Sequence, residues 1–123
     1  MAEYDLQRFL DAQEDIAEGC ITTIVFEVAY DELKHGCKSS HWMWFIFPQL
    51  ASSGKSRLSK YYGLIDEGEV EAYLENLHLR FRYCSAQSEV WKWLGQGLSL
   101  EYIFGEVDAM KFRSSTELFI KYL

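Results

Sequence analysis

The spacing of apolar residues along the chain predicts a protein built from helices. Apolar positions recur at intervals of three and four residues over 70–84, and the same face continues to Leu94. This spacing is typical of an amphipathic helix with one buried face. Shorter stretches of the same kind lie at 5–19, 58–62, 99–104 and 108–123. The pattern predicts an all-α fold, a compact bundle of about six or seven short helices in a single domain of residues 1–123.

Two stretches leave the type of element open. Residues 21–33 place Ile21, Val25 and Val28 near one helical face, although the β-branched run ITTIV also suits a short strand. We interpret this stretch as a second helix that ends at Gly36. Over 42–47 nearly every residue is apolar, so periodicity cannot separate a buried strand from a buried helical turn.

Small polar residues mark where three other helices are expected to begin. Asp5, Ser99 and Asp108 each precede an apolar-periodic stretch, and their side-chain oxygens can accept hydrogen bonds from the first free backbone N–H groups. We therefore predict these three residues as N-caps.

Composition and charge narrow the range of partners. The chain has 123 residues and a net charge of -7, which argues against nucleic-acid and anionic-membrane partners. No apolar run reaches the roughly 20 residues of a membrane span. Three widely spaced cysteines favour free thiols in a reducing cytoplasm, and neither a metal site nor a cofactor is expected. Both a monomer and a homodimer are compatible with the sequence.

The segment SHWMWFIFPQ (40–49) carries the first group of candidate functional residues. Ser40, His41 and Gln49 can form hydrogen bonds, and the indole rings of Trp42 and Trp44 can stack on a flat ligand. His41 is also a candidate general acid or base. The alternative is a structural role, in which the apolar centre is core and the histidine satisfies a local hydrogen bond.

The segment MKFRSS (110–115) carries the second group. Lys111 and Arg113, with Ser114 and Ser115, place two cations and two hydroxyls within six residues, a composition that suits a phosphate or a carboxylate. The alternative is ion pairing with the nearby Asp108 or Glu117.

A third candidate is the loop LASSGKSRLSK. The run GKS is part of a phosphate-binding loop motif, but the glycine that this motif needs five residues earlier is replaced by Gln49. A nucleotidase is therefore disfavoured, and a simpler anion contact by Lys55, Ser56 and Arg57 is the remaining functional interpretation.

Five segments resemble the family catalogued as domain of unknown function 1810, whose members sometimes carry the label calpastatin. They are DLQRFLDAQ, SHWMWFIFPQL, KYYGL, IFG and MKFRSS followed by LF, and they occur in the order of the family. The resemblance implies a compact all-helical cytosolic domain without an established activity, and it favours a helical turn at 42–47. The calpastatin label does not fit, because such inhibitors are disordered and this composition is that of a packed globule.

The chain departs from this family at three places. Residues 14–27 form an insertion-like stretch, Thr116 and Glu117 replace the usual residues after MKFRSS, and members usually continue beyond the position of Leu123 into another helical segment.

These observations support three hypotheses. The first is a domain that binds an anionic or nucleotide-like small molecule through SHWMWFIFPQ and MKFRSS. The second is an enzyme that acts on a nucleotide or ADP-ribose-like substrate, with His41 as acid or base. The third is a structural or protein-interaction module.

Overall fold

The computed structural model describes residues 3–123, in which the regular structure is helical. The α-helices are α1 (Gln7–Glu14), α2 (Val25–Lys34), α3 (Met43–Ile46), α4 (Arg57–Tyr61), α5 (Glu67–Glu75), α6 (Leu77–Gly95), α7 (Leu100–Phe104) and α8 (Glu106–Phe119), with a 3-10 turn at Ala51–Ser53. The all-α prediction is confirmed, with eight helices among the described residues rather than six or seven. None of these helices combines the length and apolar character needed to cross a membrane.

The long helix expected from residue 70 to residue 94 is divided at Asn76. The side chain of Asn76 accepts hydrogen bonds from the backbone N–H groups of His78 and Leu79, both at 3.1 Å. Asn76 is therefore the N-cap of α6, and its extended backbone separates α6 from α5. The apolar spacing continues across this break, which is why periodicity did not reveal it.

The stretch between α1 and α2 is a loop, so the prediction that the second helix begins near Ile21 is wrong. The backbone N–H of Ala17 donates to Thr23 O at 2.9 Å, and that of Val25 donates to Asp15 O at 2.9 Å. Ile24 is extended and immediately precedes α2, as the β-branched residues of ITTIV favour.

Two of four predicted helix boundaries are found in the structure. Gly36 follows α2 with a φ of +72°, and Ser99 Oγ accepts a hydrogen bond from Tyr102 N at 3.1 Å at the start of α7. Leu6 rather than Asp5 is the N-cap of α1, and α8 begins after Gly105, upstream of Asp108.

The core is organised around Phe47, which is fully buried. Its ring centroid lies 5.0 Å from that of Phe112, 5.9 Å from Tyr83 and 6.0 Å from Phe104, all with steeply inclined planes. Such edge-to-face pairs are the favoured packing of aromatic rings. The segment that follows α3 therefore lies against α6, α7 and α8, and this contact brings SHWMWFIFPQ next to MKFRSS.

A buried ion pair joins α1 to α5. Arg8 Nη1 lies 2.9 Å from Glu69 Oε2, and both side chains are almost completely buried. The same guanidinium donates to Tyr61 O and Gly63 O, each at 2.9 Å. Glu69 Oε1 accepts from Ile65 N at 2.8 Å. One pair of charges thus fixes the backbone between α4 and α5.

Replacing Glu69 with Gln is expected to lower the free energy of unfolding by about 3–5 kcal/mol, because it leaves the Arg8 charge buried without its counter-charge. Urea denaturation measures this change. Glu101→Gln is the matched control, since its partner Arg113 is half exposed and such pairs contribute little. Equal stability of the Glu69→Gln variant and the control would contradict the role given to this pair.

Candidate functional site

The candidate residues of SHWMWFIFPQ lie on two separate surfaces. Ser40, His41 and Trp42 line one cleft, whereas Trp44 and Gln49 lie beside Lys111. We expected all of these residues to contact one ligand, but the structure places them on two surfaces that share no residue.

The first surface, here called the His41 cleft, has a volume of about 490 Å3. It is formed by residues from the loop after α1, from α2 and from the segment before α3, namely Ala17, Glu18, Cys20, Val25, Val28, Ser39, Ser40, His41 and Trp42. His41 is exposed and makes no side-chain hydrogen bond to residues 3–123. A general acid or base is normally held by a second group, and the described residues supply none here.

Ser40 and Trp42 are held by the carboxylate of Glu32 on α2. Glu32 Oε1 accepts from the backbone N–H of Ser39 at 2.7 Å, from that of Ser40 at 2.9 Å and from Trp42 Nε1 at 3.0 Å. Its other oxygen accepts from Ser40 Oγ at 2.5 Å. Trp42 is 1% exposed, so its ring belongs to the core and supports α3.

These hydrogen bonds stabilise the charged form of Glu32. Burial by itself would raise the pKa of the Glu32 carboxyl, but the donors of Ser40, Ser39 and Trp42 together lower this pKa below its ordinary value. The carboxylate therefore stays ionised while it orders residues 39–42.

The second surface, here called the Lys111 cleft, has a volume of about 430 Å3. One wall comes from the segment after α3 and from α4, and the other comes from α8. Its lining residues are Gln49, Ser53, Gly54, Lys55, Ser56, Ser59, Val107, Met110, Lys111 and Ser114. The loop GKS and the segment MKFRSS, two separate candidates in the sequence, therefore line the same cleft.

A small cavity adjoins the Lys111 cleft and shares Gln49, Gly54 and Ser59 with it. This Trp44 cavity has a volume of about 10 Å3, close to the space that one water molecule needs. Its other lining residues are Trp44, Leu50, Tyr62 and Gly63. Trp44 Nε1 is buried and donates to no atom of residues 3–123. A buried N–H group without an acceptor is costly, and the adjoining cavity has room for one water-sized acceptor.

Lys111 is placed by contacts on both sides. Its Nζ lies 5.1 Å from the centroid of the Trp44 ring, within cation–π distance, and 3.5 Å from Asp108 Oδ1. The other oxygen of Asp108 lies 2.9 Å from Lys38 Nζ, whose side chain is 8% exposed. Two lysines thus share one carboxylate, and the group of three keeps one positive charge.

Two of the four candidate site residues of MKFRSS, Arg113 and Ser115, lie away from this cleft. Arg113 Nη2 donates to Glu101 Oε2 at 2.7 Å on the outside of α7, as the ion-pairing alternative allowed, although with a different partner. Ser115 is fully buried, and its hydroxyl is hydrogen-bonded to Tyr83 OH at 3.0 Å. Burial raises the pKa of the Tyr83 hydroxyl, and a neutral phenol next to Ser115 fits a structural contact.

Several residues of the cleft were missed at the sequence level. Ser53 and Ser59 lie within LASSGKSRLSK, and Met110 lies within MKFRSS, but none of the three was named as a site residue. Val107 resembles any other apolar residue of a helix. Lys38 and Asp108 are 70 positions apart, and no local pattern links them.

The described residues contain no cluster of three or more His, Cys, Asp or Glu side chains that could hold a metal ion. Cys20, Cys37 and Cys84 are all exposed free thiols.

Comparison with known proteins identifies the family. The sequence model of the family described as "Protein of unknown function (DUF1810)" matches residues 3–122. The chain belongs to this family. The DUF1810 match covers nearly the whole chain, and the description of the family names no activity. No curated protein matches the sequence.

A solved structure has the same fold. The conserved hypothetical protein Rv1873 from Mycobacterium tuberculosis is 37% identical, with a TM-score of 0.84. The match covers 97% of this chain and 77% of the mycobacterial chain. The relative is thus longer than this DUF1810 chain, and its description names no ligand or reaction.

Replacing Glu32 with Gln is expected to lower the free energy of unfolding at neutral pH by about 1–2 kcal/mol, because a neutral amide replaces an ionised acceptor and weakens the charge-assisted hydrogen bonds from residues 39–42. Since the pKa of Glu32 is lower in the folded state, its stabilisation is present above the ordinary carboxyl pKa and is lost as the pH falls through the folded value. Chemical denaturation at several pH values measures the free energy of unfolding. The difference in this free energy between Glu32→Gln and wild type should shrink in acid.

Glu27→Gln is the control for this experiment, since Glu27 is exposed on the same helix and forms no ion pair within residues 3–123. If the loss of unfolding free energy in Glu32→Gln stays constant from neutral to acidic pH, the stabilising role given to the ionised Glu32 carboxylate is contradicted.

Proposed function

We propose that this DUF1810 protein binds an anionic small molecule in the Lys111 cleft. The observation that carries the proposal is the buried N–H group of Trp44, which lacks an acceptor among residues 3–123. Trp44 also lines a small cavity that adjoins a cleft with two lysines. An anion in this cleft would accept hydrogen bonds and neutralise positive charge at the same place.

The cleft offers several donors that are not used inside the protein. Lys55, Ser53, Ser114 and the Gln49 side chain make no hydrogen bond or ion pair with the described residues. Lys55 is exposed, and Lys111 is only loosely paired with Asp108 at 3.5 Å. These groups can turn toward a ligand without breaking a strong internal contact.

The enzymatic hypothesis with His41 stays a prediction. His41 lies on the other cleft, so a ligand bound beside Lys111 would not use it in this arrangement.

Thermal unfolding in increasing inorganic phosphate at constant ionic strength tests the proposal. Wild type should show a saturable rise in melting temperature, because a ligand of the native state stabilises it. Lys111→Met should lose most of this rise, whereas Arg113→Met should keep it, since Arg113 pairs with Glu101 outside the cleft. The comparison matters because phosphate also stabilises proteins by preferential exclusion, which no single lysine controls.

Equal responses of Lys111→Met and wild type would assign the effect to preferential exclusion and would contradict binding in the cleft.

A protein-interaction role is the second candidate, and a specific observation favours it. Leu77, Phe81, Cys84, Ser88 and Trp91, here called the α6 stripe, are all exposed and follow one another at alternating intervals of four and three residues. Leu77 is 80% exposed and Phe81 is 70% exposed. This spacing is that of the contact seam between paired helices.

Sedimentation equilibrium tests self-association through the α6 stripe. The average mass of the wild type should rise with protein concentration, and Phe81→Glu should abolish the rise. Ile21→Glu is the control, because Ile21 is even more exposed than Phe81 but lies outside α6. A wild type that stays monomeric at high concentration would count against this candidate.

A further inference from the structure

The cations of the Lys111 cleft are both lysines. Lys55 and Lys111 line the cleft, and no arginine among residues 3–123 does so. A lysine ammonium is a point charge on a flexible stem, and it commonly binds phosphate. The cations therefore suit a phosphate group, and the charge of the cleft separates phosphate from a carboxylate.

The charge of the cleft also fits a dianion. Lys55 contributes one positive charge, and the group formed by Lys38, Asp108 and Lys111 contributes one more. No Asp or Glu lines the cleft within the described part of the chain. A phosphate monoester carries a charge of about -1.5 to -2 at neutral pH, whereas a carboxylate carries only one negative charge.

The uncharged donors add to this preference. Ser53 and Ser114 have free hydroxyls, whereas Ser56 and Ser59 already bond to each other, with their oxygens 2.9 Å apart. With the Gln49 amide and the ammonium groups of Lys55 and Lys111, the donors of the cleft exceed what the two oxygens of one carboxylate accommodate well. The three terminal oxygens of a phosphate can accept more of them.

One wall of the cleft is apolar and faces away from the core. Val107 is 69% exposed and Met110 is 66% exposed, and both lie on α8 beside Lys111 and Ser114. The cleft volume of about 430 Å3 lies within the range of small-molecule sites and leaves room for more than a phosphate group. An organic group attached to the phosphate can cover these side chains.

We infer that the ligand of the Lys111 cleft is a phosphomonoester with an apolar body. The phosphate lies between Lys55 and Lys111, and the body contacts Val107 and Met110. This inference rests on the proposed anion binding and names its chemical class.

Calorimetric titration of the full chain with three probes at constant ionic strength tests the inference. Phenyl phosphate should bind at least about tenfold more tightly than phenylacetate, because a dianion meets two positive charges. It should also bind about tenfold more tightly than inorganic phosphate, because its ring covers exposed apolar surface.

Met110→Ser should weaken phenyl phosphate binding about fivefold, because it removes part of that apolar surface. Ile120→Ser, an exposed apolar position of the same chain end that does not line the cleft, should leave it unchanged.

The outcomes separate the inference from the function on which it rests. If phenylacetate binds as tightly as phenyl phosphate, anion binding stands and the phosphomonoester class is overturned. If inorganic phosphate equals phenyl phosphate, or Met110→Ser has no effect, the apolar body is overturned. If none of the three probes binds, the proposed function and the inference fail together.

Discussion

The buried ion pair between Arg8 and Glu69 is the constraint on which the arrangement of this protein depends. Two opposite charges buried away from water are stable only when their other donors and acceptors are also hydrogen-bonded. Here Arg8 donates to backbone carbonyls of residues 61 and 63, and Glu69 accepts from the backbone N–H of residue 65. These groups belong to the connection between α4 and α5. A long-range contact therefore fixes a segment that has little regular structure of its own.

This segment forms part of the candidate site. Gly63 packs so closely against Ala51 that a β-carbon would collide with it, and Tyr62 and Gly63 line the Trp44 cavity. The parallel bridge between Leu50 and Leu64 then fixes the backbone of Gln49, whose carbonyl accepts from Leu64 N at 2.8 Å. The internal ion pair and the candidate binding surface are thus mechanically connected.

The α8 helix contributes to both the core and the cleft. Phe112 and Ser115 face inward, where Phe112 packs on Phe47, while Lys111 and Ser114 line the cleft. Neighbouring residues on a helix are about 100° apart, so a segment such as MKFRSS necessarily divides its side chains between two surroundings. This division explains why only part of a compact polar motif can act on one ligand.

Much of the fold could be predicted from the sequence, because apolar residues at helical spacing indicate helices. The buried face was predicted correctly on α5, at Val70 and Tyr73, but wrongly on α6, where Leu77 and Phe81 are exposed. The break at Asn76 and the loop before Val25 were missed, since capping and local backbone pairing do not disturb apolar spacing. The candidate site was predicted less completely. Gln49, Lys111 and Ser114 line one cleft, but Arg113 pairs with Glu101, and the Lys38–Asp108 contact joins distant parts of the chain. Tertiary packing alone decides such partners.

The most direct test of anion binding in the Lys111 cleft is the NMR signal of the Trp44 indole N–H during a titration with inorganic phosphate at constant ionic strength. Trp44→Phe identifies this signal among those of the four tryptophans. The account predicts that the Trp44 signal moves and saturates, while that of Trp42, whose N–H is bound to Glu32, stays in place. A stationary Trp44 signal, or an equal movement of all four signals, would contradict it.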